Sequence, residues 1–124
     1  MTTNLLTLIA ALIMVESSGN DLAVGDSGLA YGPLQIHECY VQDVNRIAGT
    51  SFTHKDAFDR KKAIRMTLIY LVHYCTQKRL GHVATYEDYA RCHNGGLNGY
   101  KKKCTEKYWR KVKTQLEKQL QPTT

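Results

Sequence analysis

The sequence predicts a mostly α protein, α+β at most, with a buried central helix and a short irregular hairpin or loop region. Three observations predict it. Leu5 to Val15 is apolar on nearly every face, helical periodicity returns in four later segments, and most of the glycines gather in two loops. The 124 residues can build one hydrophobic core without obligatory disulfides or metals, so residues 1–124 read as a single domain.

Taken in order, the first helix runs from Leu5 to about Ser17 and is expected to be buried all round, with Gly19 ending it. Residues 19–34 hold Gly19, Gly25, Gly28, Gly32 and Pro33 among Asn20, Asp21 and Asp26, and are the only place where strand content is expected. A helix over Ile36 to Ala48 carries Val41, Val44 and Ile47 on one face, and Gly49-Thr50-Ser51 breaks the chain. Residues 57–80 give the clearest periodicity, with Ile64, Leu68, Leu71, Val72 and Cys75 as the buried stripe and Gly81 as the cap. Thr85 to Asp88 is a weakened capping box opening a helix to about His93, which stops at Asn94-Gly95-Gly96. The last helix spans Thr105 to about Gln119, with Trp109, Val112, Leu116 and Leu120 as its stripe.

Composition narrows the function classes. A net charge of +6 suggests an anionic partner, but no stripe of basic residues interleaved with aromatics argues for nucleic acid. Leu5 to Val15 is too short to span a bilayer, no Lys or Arg precedes it, and no small-residue cleavage site follows, so it reads as core rather than as a signal sequence. Cys39, Cys75, Cys92 and Cys104 form no Cys-x-x-Cys pair and no zinc spacing with histidine, so no metal and no cofactor is expected. If all four are bridged, three pairings are open.

The chemistry centres on Glu16. A carboxyl at the C-terminal end of an apolar helix is disfavoured as an anion by low dielectric and by the helix dipole, which suits a general acid that protonates a glycosidic oxygen. The loops beginning at Glu16 and at Asn94 are the natural walls of a polysaccharide cleft, extended and rich in glycines that expose backbone groups. Simpler readings compete. Asp26 in Gly-Asp-Ser-Gly is an ordinary turn residue, Trp109 is a core residue, and Lys101 to Lys103 is a solvated loop. The five histidines show no ligand spacing.

Glu16-Ser17-Ser18-Gly19 followed by Gly25 to Ile36 resembles the active-site region of goose-type lysozymes and soluble lytic transglycosylases, in the lysozyme superfamily. Glu87 to Gly99, with Tyr108-Trp109 after it, is similar to the invertebrate-type (destabilase) lysozymes, which carry a like Asp-Tyr-Ala-Arg-x-His-Asn-Gly-Gly stretch. Together the two motifs cover roughly half the chain. The resemblance implies a lysozyme-like helical catalytic domain. In it Glu16 is the general acid and Asp26 the second carboxylate. Ser17, Tyr31, Gln35, His37, His93, Asn94 and Gly95 are substrate-binding or bracing residues. There are departures: only four cysteines, His37 where goose-type enzymes place another aspartate, and His93 where transglycosylases usually have tyrosine.

The implied reaction is cleavage of the β-1,4 bond between N-acetylmuramic acid and N-acetylglucosamine. Carboxyls about 5–5.5 Å apart would give a retaining hydrolase, and about 6.5–9.5 Å an inverting one. With Asp26 pointing away, Glu16 acts alone and the sugar's 6-hydroxyl attacks, the lytic transglycosylase outcome. Asp26 at the right spacing favours hydrolysis. A non-catalytic saccharide-binding relative is the alternative of another class. The expected partner is anionic peptidoglycan, met as a monomer at the bacterial wall without stable membrane insertion.

Overall fold

The computed structural model describes residues 4–121. Six helices dominate: α1 (Leu5–Ser17), α2 (Glu38–Ala48), α3 (Arg60–Tyr74), α4 (Gln77–Leu80), α5 (Tyr86–Gly95) and α6 (Glu106–Gln119). One antiparallel ribbon pairs β1 (Val24–Gly25) with β2 (Ala30–Tyr31), Val24 opposite Tyr31 and Gly25 opposite Ala30. The mostly α expectation holds, and the strands lie in the predicted loop. No described helix is long and apolar enough to cross a membrane.

The chain groups into two compact units, one of Met1–Val15 with Tyr74–Thr124 and the other of Glu16–His73. In the first, Asn4 caps α1, its Oδ1 accepting from Leu6 N at 3.1 Å and Thr7 N at 3.2 Å. Leu8, Ile9, Ala11, Leu12 and Ile13 are buried, but Leu6 is 62% and Met14 44% exposed. The expectation of a helix buried on every side is therefore corrected: α1 keeps one wet edge, carrying apolar residues that hydropathy cannot tell from core. Gln119 at the end of α6 donates to Thr7 O, and Tyr86 at the start of α5 accepts from Asn4 N.

The capping box of α5 forms as read, with Thr85 and Asp88 bonding reciprocally. Asp88 is also 2.8 Å from His82 Nε2. Arg91, buried on α5, holds the helix against the chain that leads into α6. Its Nε donates to Thr105 Oγ1 at 2.8 Å, Nη1 to Glu87 at 2.6 Å and Nη2 to Lys102 O at 2.8 Å. Every arm of a desolvated guanidinium thus has a partner, as its burial requires. Gly99 must be glycine here, because a Cβ would lie 2.0 Å from Arg91 O. On α6, Val112 and Leu116 are buried as expected, whereas Leu120 is 64% exposed.

In the second unit, α2 ends at Gly49, left-handed at φ 66°. A 3₁₀ turn, His54–Phe58, is closed by a Thr53–Asp56 capping box. The Thr53 N–H, with Lys62 second, holds the Asp56 carboxyl below its usual range. Asp59 accepts from Lys62 N at 3.1 Å and starts α3. The stripe read for α3 is partly corrected. Leu71 and Cys75 are buried, Ile64 and Leu68 only half-buried, and Val72 is 58% exposed. The face that packs is Ala63, Met66, Thr67, Tyr70, Leu71 and Tyr74. Helix 57–80 is also shorter than read: it begins at Arg60 and breaks after Tyr74, where Thr76 caps the separate α4.

Thr67 is wholly buried, and its hydroxyl is the one buried side-chain polar atom among the described residues without a hydrogen-bond partner. Thr67→Val, nearly isosteric, removes that desolvation cost. It is expected to stabilise the protein by about 1 kcal/mol. Urea unfolding at equal m-value checks this, and a destabilised variant refutes it.

Candidate active site

Glu16 stands on the last turn of α1, half-exposed, and the next residue ties that turn down. Ser17 Oγ donates to Pro33 O at 2.9 Å, joining the helix end to the Gly32-Pro33-Leu34-Gln35 turn sixteen residues on. Ser17, read as substrate-binding, uses its hydroxyl as a brace. Arg60, from the start of α3, reaches back with Nε to Asp21 and Nη2 to Gly19 O, both at 2.6 Å, and pins the segment after Glu16.

Gln35 is the second brace. Its side-chain amide donates to Ala23 O at 3.2 Å and Gly32 O at 3.0 Å. Its Oε1 fills the space over Gly25, where a Cβ would come within 2.3 Å. Both NH₂ hydrogens are thus spent on backbone. Gly32, at φ 80°, presses against the 3₁₀ turn: a Cβ there would lie 1.8 Å from Ala57 O. Tyr31 is half-buried, its ring stacked on His54 at 3.6 Å and Phe58 at 4.6 Å. His54 Nε2 is 2.8 Å from Ile36 O. A carbonyl only accepts, so that nitrogen carries the proton. His54 and Arg60 were missed as site-builders by sequence reasoning, since their partners lie far along the chain and no local pattern marks them.

Backbone strain concentrates here. Among the described residues, Ser18, Asp26, Ser27 and Gln35 are the non-glycine residues with positive φ, between 50° and 55°. All four lie in the loop after Glu16. Each costs about 1–2 kcal/mol relative to relaxed backbone, and such strain persists only where surrounding bonds over-determine it.

Asp26 sits at the tip of the ribbon, with its side chain 63% exposed. Its Oδ2 is 2.9 Å from Nε2 of His37, the residue before α2. Asp26 and His37 are therefore brought together, one occupying a polar atom of the other.

In the other unit, His93 is buried at 8% exposure, Asn94 is exposed and Gly95 is half-exposed at the end of α5. Gly95 is closely covered: a Cβ would lie 2.5 Å from Thr105 Cγ2, and Lys102 Nζ donates to its carbonyl at 2.7 Å. Tyr108 and Trp109 are half-buried. From Lys101 to Lys118, eight lysines and arginines stand against two glutamates, a surplus equal to the +6 of the entire chain.

The chain matches the family model described as Transglycosylase SLT domain over residues 1–116. No curated protein matches it.

Proposed function

The chain belongs to the transglycosylase SLT domain family, within the lysozyme-like superfamily, and from that premise we propose that it is a lytic transglycosylase with Glu16 as its single acid–base. The family acts on cell-wall peptidoglycan, which is therefore the substrate class. In the proposed reaction Glu16 first protonates the oxygen linking N-acetylmuramic acid to N-acetylglucosamine. The resulting carboxylate then takes the proton of the muramic acid's own 6-hydroxyl as that oxygen attacks the anomeric carbon. The products are a 1,6-anhydro sugar and a shortened glycan, and no water is consumed.

The observation that carries this reading over hydrolysis is the Asp26–His37 contact. A carboxylate at an exposed ribbon tip, with one oxygen on an imidazole at 2.9 Å, is poorly placed to serve as a desolvated nucleophile. The braces from Ser17 and Gln35 and the strained turn support the role given to Glu16, since they fix the backbone that carries it. Tyr31 and His37 are proposed to bind the saccharide, with Ser17 and Gln35 positioning the acid. Mass analysis of muropeptides released from purified peptidoglycan tests the proposal. Anhydro-muropeptides are expected. Reducing-end products would sink it in favour of a hydrolase, and no release at all in favour of a saccharide-binding protein.

The Lys101–Lys118 surplus supports wall attachment by long-range attraction to an anionic polymer. Changing the exposed Lys103, Lys107 and Lys111 to Gln together is expected to weaken sedimentation with intact walls about ten-fold near 0.05 M salt, and hardly at all near 0.5 M, where screening has already removed the attraction. An equal loss at both salts would mean that these side chains make specific contacts instead.

A further inference from the structure

Tyr31, on β2, stacks its ring on two others from the same unit. His54 lies at 3.6 Å between centroids and 7° between planes, and Phe58 at 4.6 Å and 21°. Those two rings cannot share one face of Tyr31. Stacked planes keep about 3.5 Å between them, so on a single face the two centroids would lie side by side within about 4 Å of each other. Rings that meet edge to edge need about 6 Å. His54 and Phe58 therefore cover opposite faces, and Tyr31 is the middle ring of a sandwich.

The sandwich is anchored from outside. Both outer rings belong to the 3₁₀ turn closed by the Thr53–Asp56 capping box, and His54 Nε2 donates to Ile36 O at 2.8 Å. Tyr31 spends its own N–H and C=O on Ile36, at 3.0 Å and 2.9 Å. What it has left to offer a ligand is the ring edge with its hydroxyl. That hydroxyl makes no hydrogen bond among the described residues, yet it is open to solvent, since Thr67 Oγ1 is the one fully buried side-chain polar atom among them without a partner. Stacked rings can also serve packing alone, and that is the competing account.

We propose that His54 and Phe58 are positioning residues, which hold Tyr31 so that its hydroxyl, and not its ring face, binds the saccharide. A phenol both donates and accepts, so it fits a sugar hydroxyl or an N-acetyl carbonyl. The clamp has already immobilised the ring, so binding does not have to order it. The assignment rests on the saccharide lying beside Tyr31, as proposed above, but not on how the glycosidic bond is cleaved.

The test is calorimetric binding of soluble, uncleaved peptidoglycan glycan strands to the full chain carrying Glu16→Gln, in which nothing is turned over. Adding Tyr31→Phe keeps both stacks and deletes only the oxygen. It is expected to raise Kd about ten-fold, with the melting temperature within about 2 °C of the parent. Adding His54→Ala instead is expected to weaken binding to a similar extent. With Tyr31→Phe already present, His54→Ala should cost less than about two-fold more, because it acts through the hydroxyl that has gone. Tyr31→Phe leaves the sandwich intact, so it decides the contact even where His54→Ala does not fold. Any of four results overturns the proposal: no binding by the Glu16→Gln parent, an unchanged Kd with Tyr31→Phe, tighter binding once His54→Ala uncovers a ring face, or an equal loss from His54→Ala with and without Tyr31→Phe. Reducing-end products from the wild-type enzyme would overturn the reaction proposed above and leave this contact standing.

Discussion

Glu16→Gln is expected to lower turnover of purified peptidoglycan by at least about 10³-fold while leaving wall binding and melting temperature nearly unchanged. The amide matches the carboxyl in shape but has no proton to give and no basic oxygen to take one back. Because Glu16 is half-exposed, the exchange strands no buried charge. Asp26→Asn is the companion measurement. In a single-acid reaction it lowers turnover by less than about ten-fold, whereas a nucleophilic or water-holding Asp26 would cost about 10² or more. A Glu16→Gln enzyme that keeps a tenth of its rate would move the acid elsewhere in the chain.

Gly32→Ala is expected to be the most damaging single methyl in the unit that carries Glu16. A Cβ at Gly32 lies 1.8 Å from the Ala57 carbonyl oxygen, which is backbone and cannot swing aside, and φ there is 80°. Left-handed strain and overpacking together predict a loss of about 3 kcal/mol or more. Activity should fall further than stability, because the turn that must move also accepts the Ser17 hydroxyl and the Gln35 amide. Differential scanning calorimetry and turnover measured well below the new melting point separate the two effects. A variant that melts within about 2 °C of the parent would show that Gly32 and Ala57 part easily.

Much of the fold was legible in the chain because its cause is local. Gly49 and Gly81 end their helices in left-handed conformation, and Thr85 with Asp88 opens α5, all within a few residues of the pattern that announced them. Glu16-Ser17 and Gly32 to Gln35 were recognisable as one motif, although not as parts tied by the Ser17–Pro33 bond. The features that stayed hidden depend on distant partners. Arg60 reads as one more charge on a solvated face until Asp21 and Gly19 meet it. Asp26 reads as a free carboxylate until His37 meets it. The stripe of α3 was mis-phased because Thr67, Tyr70 and Tyr74 are buried there, whereas Val72, more apolar than any of them, faces water. Hydropathy ranks side chains, but it does not say which ones a neighbouring element will cover.

The positive-φ residues after α1 carry an engineering consequence. Glycine at Ser18 or Ser27 would relax the folded backbone, yet it would widen the unfolded ensemble by a comparable amount. The two changes cancel in the folding equilibrium, so a screen for heat resistance would score such variants as silent. Amide exchange around the substituted position would not, because glycine opens further backbone conformations there between the braces from Ser17, Arg60 and Gln35. Thermal ranking is therefore a blind guide to improving this catalyst, and local exchange rates should steer mutagenesis of its loop.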